Sequence, residues 1–191
     1  MLGKIFIGLV VVVAVFVIVV VTRPAEFHIE RSILVGTPPA NVFIQVNDLH
    51  AWAAWSPWEK LDPNMEKTHT GPPAGPGATY AWKSESGKVG QGRMTIEKSE
   101  APARVVVTLE FIKPFAATNT VTFSFDDTTV GTKVTWAMDG RNGFMGKAFA
   151  LLMNMDKTVG GDFERGLVGL KAVAEAAPKP AAMVAGSAQP Q

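Results

Sequence analysis

The distribution of apolar residues divides the chain into unlike parts. From Ile5 to Val21 every residue is apolar or glycine, a run of about 17 residues, at the lower end of what crosses a bilayer as a helix. Pro24 ends it, because the residue before a proline avoids the α region. The run has no polar face, which a core helix of a soluble protein would show. It is longer than the apolar stretch of a cleaved signal, and Thr22-Arg23-Pro24-Ala25 offers no small-residue cleavage pattern. Residues 1–24 are therefore expected to form a single transmembrane anchor.

Beyond Pro24 the period changes to two. Phe27, Ile29 and Ile33 alternate with Glu26, His28 and Glu30, which predicts a strand. Thr37-Pro38-Pro39 then predicts a helix start, with proline at the first helical position and Val42, Phe43, Val46 and Leu49 at helical spacing. A second short helix is expected over 48–55, stopped by Ser56-Pro57. Strands follow over 65–70, 78–84, 88–99, 104–112, 116–125 and 132–140. Gly71 to Gly77 and Asp126 to Gly131 are read as turns, and Gly87 to Gly92 as a turn with a bulge. The apolar face is assigned to Met94, Ile96, Val105, Val107, Leu109, Phe111, Val121, Phe123, Phe125, Val134, Trp136 and Met138. An antiparallel sheet with one wet face needs a cover for the other. One long helix from Phe144 to Val173 supplies it, with Leu151, Leu152, Met155, Val159, Phe163 and Leu167 at three- and four-residue steps. Gly160-Gly161 is the expected point of bending. Residues 25–177 form the folded domain. The alanine- and proline-rich residues 178–191 are expected to be a disordered tail.

Composition narrows the chemistry. Eighteen Lys and Arg against seventeen Asp and Glu give no basic field for nucleic acid. The absence of cysteine excludes disulfides and thiolate chemistry. His28, His50 and His69 fit no close metal-ligand spacing. No nucleophile elbow, phosphate loop or zincin helix occurs. No cofactor or metal is expected.

The order strand, two short helices, six strands, long helix resembles the SRPBCC, START-like (helix-grip) superfamily, and within it the polyketide cyclase/dehydrase-like bacterial proteins. The residues that carry the resemblance are Pro38-Pro39-Ala40-Asn41-Val42-Phe43, Trp52-Ala53-Ala54-Trp55-Ser56-Pro57-Trp58, Gly75-Pro76-Gly77-Ala78-Thr79-Tyr80, Gly131-Thr132-Lys133-Val134-Thr135-Trp136 and Gly161-Asp162-Phe163-Glu164-Arg165-Gly166-Leu167. The resemblance implies an α+β fold: a curved antiparallel sheet of about seven strands around a long C-terminal helix, with a hydrophobic cavity between them. The family name implies no fixed reaction.

The cavity candidates are Trp52, Trp55, Trp58, Tyr80, Trp82, Met94, Leu109, Phe111, Phe123, Trp136, Met138, Leu152, Met155 and Phe163. The three closely spaced tryptophans either gate a pocket or pack the short helices onto the sheet rim. Asp48 and His50 suggest an acid/base pair, but residues two apart do not share a helix face, so a solvated helix cap competes. Glu59 and Asp62 read as loop charges, Asp126-Asp127 as turn residues, and Arg93 and Glu110 as outward-facing surface charges. Whether the face of Tyr80 and Trp82 points inward is left open.

Three functions are compatible with this pattern. The first is a membrane-tethered binding module with an apolar cavity for a small hydrophobic ligand: a lipid, isoprenoid or aromatic metabolite. The second is a polyketide cyclase/dehydratase-like enzyme acting at the cavity mouth through Asp48, His50 or Tyr80. The third is an interaction protein with no ligand. The expected partners are that ligand and the membrane, not nucleic acid. Lys4 with the terminal amine nearly balances Arg23 with Arg31, so the flanking charges scarcely decide orientation. The expected location is a bacterial inner membrane with the domain on the periplasmic side.

Overall fold

The computed structural model describes residues 2–86 and 89–177. The expected tail and the Gly87-Lys88 turn lie outside the described residues.

Helix α1 (Leu2–Thr22) is apolar throughout, and its segment Gly3–Thr22 has a mean hydropathy of 3.4. At 1.5 Å per residue its 21 residues extend about 31 Å, enough to cross a hydrocarbon layer of about 30 Å. Strand β1 (Glu26–Val35) follows, then α2 (Pro39–Asn47), the single turn α3 (Trp52–Trp55) and a 3₁₀ turn (Pro57–Lys60). Six strands come next: β2 (Glu66–Thr70), β3 (Thr79–Lys83), β4 (Gln91–Glu100), β5 (Arg104–Lys113), β6 (Ala117–Thr128) and β7 (Gly131–Arg141). Two helices end the fold, α4 (Phe144–Leu152) and α5 (Met155–Ala176). The seven strands form one antiparallel sheet in the order β1-β7-β6-β5-β4-β3-β2. The α+β architecture expected from the residue pattern is therefore present.

Several boundaries differ from expectation for local reasons. Pro39 does open α2, but Pro38 rather than Thr37 is its cap. Thr37 instead accepts a hydrogen bond from Asn41 Nδ2 at 2.8 Å. The helix stops at Asn47, before Leu49, because Asp48 is extended. The long C-terminal helix breaks at Met153-Asn154, not at the glycine pair. Asn154 is the N-cap of α5 and its side chain accepts from the Lys157 N–H at 2.9 Å, which favours a new start over continuation. Gly160 lies within α5, and Arg31 packs so close to it that a Cβ would collide with the guanidinium. Gly166 serves the same purpose for Trp136, whose ring would lie 2.6 Å from an added Cβ.

Register shows what α5 covers. Cross-strand partners share a face, so the rows of the inner face can be read off the pairing. One row runs Arg31, Trp136, Phe123, Val105; the next toward the anchor runs Ile29, Met138, Val121, Val107, Ile96. Beyond it come Phe27, Gly140, Asn119, Leu109, Met94, Tyr80 and His69, and last Phe111, Gly92, Trp82 and Lys67. Helix α5 is fastened along β1 by polar staples. Arg31 pairs with Asp156 at 3.0 Å and Glu164 at 2.8 Å, Lys171 donates to Leu34 O, and the Gly36 N–H donates to Glu175. Its first staple sits at the Arg31 row. The two rows nearest the anchor are about 14 and 20 Å farther along the strands, at roughly 3.4 Å per residue.

Candidate functional site

The inner face has a filled end and an open end. The filled end is aromatic. Trp136 stacks on Phe163 with centroids 4.3 Å apart and lies 4.7 Å from Phe123. Trp52, Trp55 and Trp58 stand edge-on to it at 6.2, 5.7 and 5.6 Å. Trp52, Trp55, Phe123, Trp136, Met138 and Phe163 are all buried. Trp52 and Trp55 also donate their ring N–H groups to Val46 O and Gln45 O, which satisfies carbonyls left over at the end of α2. Trp136 Nε1 is buried with no conventional partner, alone in this among the described side chains. The edge-to-face rings around it are the surroundings that an N–H···π contact uses.

At the open end the apolar residues are only half-buried. Trp82, Met94, Leu109 and Phe111 share the inner face there, and Trp58 and Met155 are half-buried too, packed against the core from the helical side. The Trp82 ring lies across Gly92, where any Cβ would clash, and meets Phe111 edge-on at 6.0 Å. Both Tyr80 and Trp82 therefore face inward. The Leu152 side chain lies outside the described residues.

Polar groups enter this face from the edge. Tyr80, 4% exposed, donates its hydroxyl to Glu59 Oε1 at 2.7 Å. Lys67 Nζ pairs with Glu59 Oε2, and the Glu59 side chain is only 9% exposed. Glu59 sits on the 3₁₀ turn started by Pro57, so it is a buried hub and not a loose loop charge. Burial first, then the Glu59 carboxylate, push the Tyr80 phenol well above its usual range. Tyr80 is therefore a hydrogen-bond donor here and not a base. Asp62, also read as a loop charge, accepts from the Ser84 hydroxyl and the Asn64 N–H, which together lower its pKa.

Asp48 and His50 do meet, with His50 Nδ1 2.9 Å from Asp48 Oδ1. The helix-face objection fails because the helix has already ended. His50 stacks on His69 at 4.0 Å and His69 on Tyr80 at 4.9 Å. These histidines line an open cleft of about 270 Å³ between Leu49, Pro72 and Thr79. The rings form a continuous pile from the cleft to the inner face, but hydrogen bonding does not join His50 to the Glu59–Tyr80 pair among the described contacts. Arg93 and Glu110 pair across strands on the outer face, as expected. Asp126 and Asp127 are the outer end of β6. Among the described residues there is no cluster of three His, Asp or Glu side chains suited to a metal ion.

Sequence reasoning missed three charges on this face: Arg31, Lys67 and Glu59. For Arg31 a signal existed, since it shares the odd-numbered phase of Phe27, Ile29 and Ile33. For Lys67 the β2 segment has no apolar alternation to set a phase. For Glu59 no local pattern points inward.

The histidines give a pH test. Partial burial first, then repulsion from His50, lower the His69 pKa below its ordinary 6.5. Its neutral form stabilises the fold above pH 6.5, and that contribution is lost as pH falls through the depressed value. The hydrogen bond to Asp139 raises the His28 pKa above 6.5, so its contribution is present below pH 6.5 and is lost as pH rises through the raised value. An NMR titration of the imidazole protons is expected to place His28 above 6.5 and His69 below it; the reverse order would contradict the two environments.

A family model described as polyketide cyclase / dehydrase and lipid transport matches residues 26–175. No curated protein matches the chain significantly. Among solved structures, a Chromobacterium violaceum protein aligns at a TM-score of 0.57 with 14% identity, covering 78% of this chain and 96% of its own. A Staphylococcus aureus protein aligns at 0.57 with 15% identity, covering 80% and 96%. The di-domain ARO/CYC BexL from the BE-7585A biosynthetic pathway aligns at 0.59 with 15% identity, over 85% of this chain and 54% of BexL. At such identities the likeness concerns the fold.

Proposed function

Because the chain belongs to the polyketide cyclase / dehydrase and lipid transport family, we propose that it is a membrane-tethered binding module that holds a small hydrophobic ligand at the open end of its sheet. One observation carries this reading. Trp82, Met94, Leu109 and Phe111 remain half-exposed on the inner face at the end from which α1 leaves, while the other end is packed with aromatic rings. Ligand sites are mostly apolar with a few placed polar groups, and the buried Tyr80–Glu59 pair, with Lys67 at its solvent side, borders this surface. A lipid, isoprenoid or aromatic metabolite has the chemistry to fill it.

The test is native mass spectrometry of the full-length protein extracted from its host membrane in mild detergent. Wild-type protein is expected to carry a small apolar adduct. Leu109→Arg places a charge on a half-exposed position, so the fold should persist by circular dichroism while the adduct is lost. Wild-type protein free of any adduct, or an adduct retained by folded Leu109→Arg, overturns the reading.

The cyclase-like alternative draws on Asp48, His50 or Tyr80; Asp48 and His50 meet beside the separate cleft and not on this surface, which leaves it Tyr80. Its hydroxyl is already given to a carboxylate and its ionisation is disfavoured, so the observations favour binding.

A further inference from the structure

The surface around the end of α1 exposes more apolar area than a tether requires. Helix α4 has the sequence FMGKAFALL, and Phe144, Met145 and Phe149 are 47%, 48% and 44% exposed. Met153 follows at 48%. Beside them stands the tip of the β5–β6 hairpin, with Ile112 55% and Phe115 47% exposed, and the Phe115 and Phe149 rings are 5.7 Å apart. Soluble surfaces seldom leave so contiguous a patch without a partner.

Position identifies that partner. Helix α4 packs on α1, and Val20, in the last turn of α1, is fully buried although most of that helix is bare. Lys147, the sole charged residue of α4, donates to Val21 O at 3.2 Å. If α1 spans a hydrocarbon layer of its own length, its last turn lies at the layer's edge, and α4 lies at the same depth. The charges at the strand ends and helices here are mainly basic: Arg23, Lys83, Lys113, Arg141 and Lys147, against Glu26, Glu66 and Glu85. An apolar surface rimmed by cations matches the acyl–headgroup boundary of an anionic bilayer.

We infer that α4 and the β5–β6 hairpin tip form a second membrane contact, inserted into the interface of the bilayer that α1 crosses. This contact holds the open end of the sheet, Phe111 and Trp82 foremost, against lipid. The inference rests on α1 spanning the membrane.

The chain has no cysteine, so single cysteines can carry an environment-sensitive fluorophore. The full-length protein is placed in phosphatidylcholine/phosphatidylglycerol vesicles with nitroxides at shallow or deep lipid positions. Labels at Met145→Cys, Phe149→Cys and Phe115→Cys are expected to be quenched several-fold more by shallow nitroxides than a label at Val130→Cys, a position 66% exposed at the β6–β7 turn. A label at Val12→Cys reports on the anchor. Deep quenching at position 12 with positions 115, 145 and 149 as unquenched as position 130 overturns the docking contact alone. No quenching at position 12 overturns the spanning reading and this inference with it. Labels at 115, 145 and 149 that are dry but untouched by lipid nitroxides would assign the patch to a protein partner or a second copy, and overturn it too.

Discussion

Replacing Trp136 by alanine is expected to lower the unfolding free energy by about 3–5 kcal/mol, the range for a large aromatic truncated in a packed core. Trp136→Phe keeps one ring and leaves a smaller cavity, so it is expected to cost less, about 2 kcal/mol. The reasoning lies in the site's geometry. Trp136 is 2% exposed and touches Trp52, Trp55, Trp58, Phe123 and Phe163. Gly166 has already surrendered its side chain to admit the ring, so α5 cannot easily sink into the space alanine would leave. Its Nε1 has no conventional acceptor, so phenylalanine loses no ordinary hydrogen bond. Urea unfolding of the full-length protein in detergent, followed by near-ultraviolet circular dichroism, measures both variants. Equal losses would mean that the indole N–H is well partnered and that the aromatic shell is not its real environment.

That shell also explains how far sequence reading reached. Alternation in β5, β6 and β7 was strong because each strand has one dry face, and the observed register keeps those residues inward. The long helix was legible by its period, yet its break was not: Asn154 acts through a capping bond that a hydrophobic pattern does not register. The tryptophan motif was visible as an oddity, but its dual use was not. Trp52 and Trp55 cap α2 while all three tryptophans enclose Trp136, and those roles depend on where two short helices land on a sheet. The Asp48–His50 contact depends on α2 ending at Asn47, earlier than the apolar spacing through Leu49 predicts. Glu59 was hardest to foresee, because its partners Lys67 and Tyr80 lie 8 and 21 residues away, on two strands.

Glu59 is therefore where structure and function can be separated. Glu59→Ala strips the acceptor from the Tyr80 hydroxyl and the counter-charge from Lys67 in a mostly buried setting. The expected loss is about 3 kcal/mol: about 2 for the buried Tyr80 hydroxyl left without its charged acceptor, and about 1 for the solvent-screened Lys67 pair. Glu59→Gln keeps a carbonyl oxygen for Tyr80 and loses only the ionic part of the Lys67 contact. Lys67 is 35% exposed and can reach water, so a loss of about 1 kcal/mol is expected after allowing for solvent screening. Tyr80→Phe should fall between them, at about 2 kcal/mol for a bond to a charged acceptor. Urea midpoints of the three variants test the order, and the apolar adduct is followed in each. A supporting trio predicts that Glu59→Gln binds ligand like the wild type. A catalytic carboxylate predicts the opposite signature: a stable, folded Glu59→Gln protein that retains ligand but accumulates it unconverted. Because the amide preserves shape and the hydrogen bond while abolishing proton exchange, that result alone would replace the proposed binding role with an enzymatic one.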